Sequence, residues 1–315
     1  MKFAVVGAGA IGGLLGAQLA EAGLDVTLVA RGAHLDAMRS RGLEVIRPDG
    51  SSLVSRPTCT GDLAAARGAD FTFVTVKAHS LPALAPGLSG SSTLVFTQNG
   101  LPWWYLAATG RHLETVDPGG AVAAQIDLAR VIGCIAYPAA EVVEPGVIRH
   151  LEGNRFSLAE PGGSRTPRVL ELSRTLAAAG LKAPVQARME HEIWVKLLGN
   201  ATFNPVSALT RATLGELLDD PDSRGLVTDL MQEVGEVAGA AGVQLGISVE
   251  RRLQAAAHAS EHRTSMLQDV ESERPLEVDA LVGSVVELGR QLGVPTPALS
   301  VVYGLTRQLS RSLGR

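Results

Sequence analysis

Six residues near the start of the chain, Gly7-Ala8-Gly9-Ala10-Ile11-Gly12, constrain its fold more than any other stretch. They follow a short apolar run, residues 3–6, and lead into an Ala/Leu-rich segment, residues 11–22, that reads as a helix. Strand, glycine turn and helix open a βαβ unit, and the G-x-G-x-x-G spacing gives each glycine a task. Gly7 permits the tight turn, Gly9 lets backbone approach a pyrophosphate, and Gly12 lets the helix pack closely on the strand. The helix N-terminus offers N–H groups and the positive end of its dipole to an anion, so Ala10 and Ile11 join the glycines as candidate cofactor-binding residues. In a chain with 35 glycines the spacing alone is weak, and a plain strand-turn-helix without a ligand is the competing reading. The flanking strand and helix are what favour the dinucleotide.

The first half continues to alternate. Residues 25–30 (DVTLVA) read as a strand, 43–46 as a short one, and 70–76 (DFTFVTV) and 93–97 (TLVFT) as strong ones, rich in β-branched and aromatic side chains. Strands separated by helix-length segments predict parallel pairing with crossover helices, hence a doubly wound α/β sheet. Residues 131–158 break into short pieces divided by Pro and Gly, which predict antiparallel or mixed strands added to that sheet. Residues 168–179 read as a helix with Gly180 as its C-cap. Beyond residue 189 strand signal gives out, and 190–204, 225–241, 249–259, 278–293 and 298–313 favour helix. The expected organisation is a Rossmann-type domain over 1–186 and an all-helical domain over 187–315.

Composition narrows the function. Lys and Arg number 28 against 32 Asp and Glu, a net charge of −4, and aromatics are only 4%. Neither a basic nucleic-acid surface nor a base-stacking platform is indicated. At 46% hydrophobic residues, global disorder is excluded. Cys59 and Cys134 form neither a disulfide framework nor a zinc-site spacing, and no metal is expected. No apolar run approaches about 20 residues and no signal peptide is visible, so a cytoplasmic protein without membrane association is expected.

Polar residues fall where such a sheet binds ligands, at the C-terminal ends of its strands. The second strand ends in Ala30-Arg31-Gly32, with no acid to accept from a ribose hydroxyl. A guanidinium there suits the 2′-phosphate of NADPH, although a surface arginine in a loop reads the same way. Lys77 and Asn99 close two further strands, where a nicotinamide ribose or a substrate would lie. His79 is assigned no role. In the second half, Lys196, Asn200 and Asn204 recur every four residues on an otherwise apolar helix and so would share one face. A partly buried lysine needs a partner or a lowered pKa, and a lowered pKa suits a general acid. The alternative is a lysine that snorkels to water beside two locally satisfied amides. Pro205 disfavours helical geometry at Asn204 and predicts a bend or an end there. A charged cluster follows at residues 262–279. There Thr264 or Ser265 can cap a helix, and Glu277 opens an apolar pattern that points it inward.

Together GAGAIG, VKAHS at Lys77, QNG at Asn99, WVKLLGNATFNPVSAL and TSMLQDVESERPLEVD resemble, in order and over nearly the whole chain, the ketopantoate reductase family. The resemblance implies a dinucleotide-binding domain, a helical domain, and NADPH-dependent reduction of 2-dehydropantoate to (R)-pantoate, a step toward pantothenate and coenzyme A. It implies catalytic roles for Lys196 and Glu277, and substrate contacts for Asn200, Asn204 and Ser265, the serine to the substrate carboxylate. It also implies cofactor or substrate contacts for Asn99 and Lys77 and a 2′-phosphate contact for Arg31. The partner is then a small keto acid. Independently of the resemblance, the helices after Val278 carry enough apolar surface for a homodimer interface or merely for a core. Three features depart from common members: Leu214 where some carry a polar residue, His262 where some carry Asn, and the bulky run Leu101-Pro102-Trp103-Trp104-Tyr105, which could line or cap the cleft. Reduction of another small 2-keto acid and a non-catalytic NADPH sensor are the competing functions.

Overall fold

The computed structural model describes residues 1–90 and 93–313. The strands are β1 (Lys2–Val6), β2 (Asp25–Val29), β3 (Leu43–Ile46), β4 (Ser52–Ser55), β5 (Thr58–Thr60), β6 (Phe71–Val74), β7 (Thr93–Phe96), β8 (Val131–Ala136), β9 (Ala139–Glu144), β10 (Val147–Glu152) and β11 (Phe156–Ala159). The helices accompanying them are α1 (Ala10–Glu21), α2 (Gly32–Arg41), α3 (Leu81–Leu88), α4 (Trp103–Ala108) and α5 (Pro167–Ala178). Two compact units result. One holds Met1–Gln98, Ala107–Gly110 and Gly120–Met189; the other holds Asn99–Leu106, Arg111–Gly119 and Glu190–Arg315. The sequence placed one boundary, at 186; the units divide at Met189/Glu190 and assign two short segments after β7 to the second unit.

The first unit contains a seven-stranded sheet in the order β11-β8-β7-β6-β1-β2-β5, parallel except where β11 pairs with β8. Its central strands are buried on both faces, as Phe71–Val74 illustrates, and so read as continuous apolar runs. From β1 the chain winds outward through β2 and β5, then returns to β6 on the other side of β1. The strand order therefore reverses between β1 and β6, and the crevice beyond their C-terminal ends is the place where open α/β sheets bind ligands.

One expectation is corrected. Strands β9 and β10 do not join the main sheet; with β3 and β4 they form a separate four-stranded sheet, β4-β3-β10-β9. The cause lies in α1, whose residues from Gly12 to Ala17 are all buried. A helix apolar on every side must be covered on every side. It packs on β1 and β2 with one face and on the small sheet with the other. Glycines allow both approaches: a Cβ on Gly16 would overlap Leu28 of β2, and one on Gly13 would overlap Ile148 of β10. Burying Leu15 and Leu19 completely in this layer contributes roughly 1.5–3 kcal/mol each.

The turn between β9 and β10 is tied to α2 by His34, whose Nδ1 accepts from the Gly146 N–H at 3.0 Å. Nδ1 must therefore be unprotonated, and burial holds the imidazole pKa below its ordinary value of 6.5. The unfolded chain binds the proton more readily than the folded one, so this contribution to stability is present above pH 6.5 and is lost as pH falls below it. We expect the thermal midpoint to decline on acidification below that value, and the decline to be shallower in His34→Asn, which keeps an acceptor but cannot titrate. Identical pH profiles for the two proteins would exclude His34 as a source.

The second unit is built of α6 (Met189–Asn200), α7 (Phe203–Thr210), α8 (Leu214–Asp219), α9 (Pro221–Ala240), α10 (Val249–Ala257), α11 (Ser265–Glu271), α12 (Ser284–Leu292) and α13 (Pro297–Leu313); its described residues include no strand. Helix α9 buries Val227, Leu230, Met231, Val234, Val237 and Ala238, a stripe at helical spacing, and packs on α8, α12 and α13. Glu233 on α9 accepts from the N–H groups of Ala298 and Leu299 at 2.9 and 2.8 Å, placing a carboxylate at the positive end of α13. Among the described residues, no helix is long and apolar enough to cross a membrane.

Candidate active site

In the first unit the glycine turn is shaped by its neighbours. Gly7 has φ of +101°, and a Cβ there would lie 2.7 Å from the Val76 side chain and 2.9 Å from the Val76 nitrogen. A Cβ on Gly12 would overlap both the Gly7 carbonyl and the Thr75 hydroxyl. The Thr75 hydroxyl sits 2.6 Å from the Gly7 carbonyl oxygen, so β6 pins the turn from below. Gly9, by contrast, faces open space and caps the N-terminus of α1, whose first turn carries no acidic residue. Ala10 and Ile11 begin that helix, whose leading N–H groups have no intrahelical acceptor. A cradle that a methyl group would fill at Gly7 and Gly12, and that stays open over Gly9, fits a dinucleotide pyrophosphate.

Arg31 stands at the end of β2 as the exposed N-cap residue of α2. Among the described residues it makes no ion pair. Lys77 follows β6 and is half-buried. Sequence reasoning missed Thr75 and Gln98. The Gln98 amide donates to the carbonyls of Val74 and Val76 at 2.8 and 2.9 Å, bracing the strand end that carries Lys77. Its signal was a buried-strand context that made a polar residue conspicuous, but not its direction.

In the second unit the asparagine segment departs from its expected shape. Lys196 and Asn200 share a face of α6, both half-buried, between the fully enclosed Ile193, Trp194, Leu197 and Leu198. The helix does not run on to Asn204. It breaks at Ala201–Thr202 and restarts as α7, so Asn204 lies on a second helix. Pro205 neither ends nor bends it at Asn204, because in the first turn of α7 a missing N–H leaves no intrahelical bond unmade. The break instead falls where the Thr202 hydroxyl bonds back to the Leu198 carbonyl at 2.8 Å. Asn204 is buried, with its amide nitrogen 3.4 Å from the Ser265 hydroxyl at the exposed first position of α11. Thr264, not Ser265, caps that helix, accepting from the Leu267 N–H at 3.2 Å.

Asn99 and Glu277 also meet, amide nitrogen to carboxylate at 3.5 Å, across 178 residues of sequence. A π-helical turn at Asp279–Gly283 begins two residues after Glu277. Gly100, at φ +90°, lies so close to this turn that a Cβ would overlap the Ala280 carbonyl, which also accepts from the Leu101 N–H at 3.3 Å. Such single π turns are frequent at functional sites. The turn is braced by the Tyr303 hydroxyl, which donates to Asp279 at 2.6 Å. The aromatic run after Gly100 is core: Leu101, Trp103 and Trp104 are buried, and Tyr105 accepts from the Trp194 indole at 3.3 Å. Leu214 and His262 are neighbours, the Leu214 N–H donating to the His262 carbonyl at 3.1 Å.

Residues 3–163 match the family described as ketopantoate reductase PanE/ApbA, and residues 188–310 match its C-terminal counterpart, ketopantoate reductase PanE/ApbA C terminal. The chain is 47% identical to a 2-dehydropantoate 2-reductase of Mesorhizobium japonicum over 100% of its own length and 99% of the relative's. It is 31% identical to a 2-dehydropantoate 2-reductase of Halobacterium salinarum, with 99% of each chain covered. Its fold is similar to the crystal structure of a protein from Ralstonia solanacearum MolK2 provisionally named a ketopantoate reductase. The TM-score is 0.93 and the identity 38%, covering 99% of this chain and 98% of the other.

Proposed function

Because the chain belongs to the ketopantoate reductase family of nicotinamide-dependent oxidoreductases, we propose that it reduces 2-dehydropantoate to (R)-pantoate with NADPH. The observation that carries this reading is the gathering of dispersed polar side chains in one helical unit. Asn204 meets Ser265 across 61 residues, Asn99 meets Glu277 across 178, and Lys196 and Asn200 present one face of α6. Gly7, Gly9, Ala10, Ile11 and Gly12 would hold the pyrophosphate, Arg31 the 2′-phosphate, and Lys77 and Asn99 the nicotinamide half. When bound, the dinucleotide supplies the hydride.

The chain's own residues do the rest. The Lys196 ammonium donates a hydrogen bond to the keto oxygen, stabilises the negative charge that develops there, and gives up a proton as the alcohol forms. Asn200, Asn204 and Ser265 hold the polar groups of the substrate, which fixes the keto carbon in a reactive orientation. Glu277, held against Asn99, orients the substrate hydroxyl side of the site.

A second reading, reduction of a different small 2-keto acid, is favoured by the contact between Leu214 and His262, which brings two of the three departures from common members together at one place beside α11. The deciding experiment follows NADPH consumption with ketopantoate and a panel of other 2-keto acids. We expect kcat/KM for ketopantoate to exceed the others by about tenfold or more, the discrimination that a few polar contacts supply. Preference for another acid selects the second reading, and dinucleotide binding without turnover selects a sensor.

A further inference from the structure

We infer that Arg252 is a carboxylate receptor of this site, binding the acid group of the 2-keto acid through its guanidinium. The inference rests on the keto-acid reading above. Arg252 lies on α10 and is partly buried, yet among the described residues it has neither a carboxylate partner nor a hydrogen-bond acceptor. Burial depresses its pKa with nothing to offset the loss of hydration. An arginine withdrawn from water normally has an anion to meet, because its desolvation is otherwise uncompensated.

Its position says which anion. The guanidinium lies against Gly199, where a Cβ would overlap Nη2 and stand 3.0 Å from Cζ. It also sits 6.0 Å from the centroid of the Phe203 ring. Gly199 and Phe203 immediately precede Asn200 and Asn204, so the cation packs on the two helical turns that carry the asparagines. On α6, Gly199 follows Lys196 by three residues and so lies beside it on the helix surface. A glycine weakens the last turn of a helix, and here it leaves room for the guanidinium to lie flat against the backbone. The planar fork of donors matches a carboxylate bidentately. A 2-keto acid with its keto oxygen on Lys196 carries its carboxylate one bond away from the reacting carbon.

The test compares the keto acid with its methyl ester, which keeps the ketone and removes the negative charge. In the unmodified protein the acid should be preferred by at least tenfold in kcat/KM. In Arg252→Met the acid's KM should rise at least tenfold, the ester should change little, and the preference should collapse; Arg252→Lys should fall between. The dissociation constant for NADPH should stay the same in each. An unchanged acid-to-ester ratio in Arg252→Met, or a loss confined to NADPH binding, overturns the inference. If Arg252→Met does not fold, Gly199→Ala provides the same comparison, since alanine favours the helix while displacing the guanidinium. If the unmodified protein reduces neither compound, the keto-acid reduction itself is wrong. Arg252 is then judged by binding: a rise in thermal midpoint with the keto acid that Arg252→Met abolishes, or Gly199→Ala where Arg252→Met does not fold, supports it, and a rise that survives, or none at all, overturns it.

Discussion

Replacing Lys196 by alanine should lower kcat by about 10²–10⁴-fold, the range that a positioned proton donor and a charge-stabilising donor each supply. The dissociation constant for NADPH should change by less than about threefold, because the glycine cradle and Arg31 belong to the first unit and Lys196 to the second. The effect rests on where α6 puts the ammonium. Ile193, Trp194, Leu197 and Leu198 enclose the helix around it, and the lysine is only partly exposed. In such surroundings a charge acts on a developing alkoxide with less screening than in water. Lys196→Arg separates two parts of the role. It keeps a cation that stabilises the oxyanion but transfers no proton near neutrality, so it should recover part of the loss and no more. Stopped-flow turnover and a fluorescence titration with NADPH measure both quantities. A Lys196→Ala enzyme with near-normal kcat removes this residue from the chemistry.

The sequence exposed some of this arrangement and concealed the rest for physical reasons. The parallel sheet was legible because its strands are buried on both faces, as in Phe71–Val74, and such runs are unlike anything on a surface. The small sheet was not. Strands β9 and β10 alternate like any antiparallel pair, and alternation carries no address. The address lay in α1, apolar on every side, which requires a second covering layer. The Lys196–Asn200 face was legible from a four-residue spacing. Asn204 was assigned to the same helix because periodicity runs straight across a break made by two residues, Ala201 and Thr202. Asn99 and Glu277 were each visible as candidates, but their meeting spans 178 residues, beside a π turn on which Gly100 packs, and neither the contact nor the turn has a sequence period. Arg252 was invisible for another reason: beside Arg251 on an amphipathic helix it reads as ordinary surface charge, and only the packing against Gly199 distinguishes it.

Arg31→Ala should weaken NADPH binding by roughly 10–10²-fold and NADH binding by less than about threefold. A hydrogen bond to a charged group is worth about 1.5–3 kcal/mol, and each 1.4 kcal/mol is tenfold in affinity. Only NADPH carries the phosphate that would receive it. The local structure favours this assignment: Arg31 is exposed at the end of β2, no acidic residue adjoins it, and α2 begins immediately after it. An exposed charge is screened, so the difference between the two cofactors should narrow as salt rises and the Debye length falls below about 8 Å. Arg31→Asp supplies the acceptor that a ribose hydroxyl requires and repels a phosphate, and should shift the preference toward NADH. Equal losses for both cofactors in Arg31→Ala would mean that this side chain recognises a feature common to both, and the preference for NADPH would then need a different source.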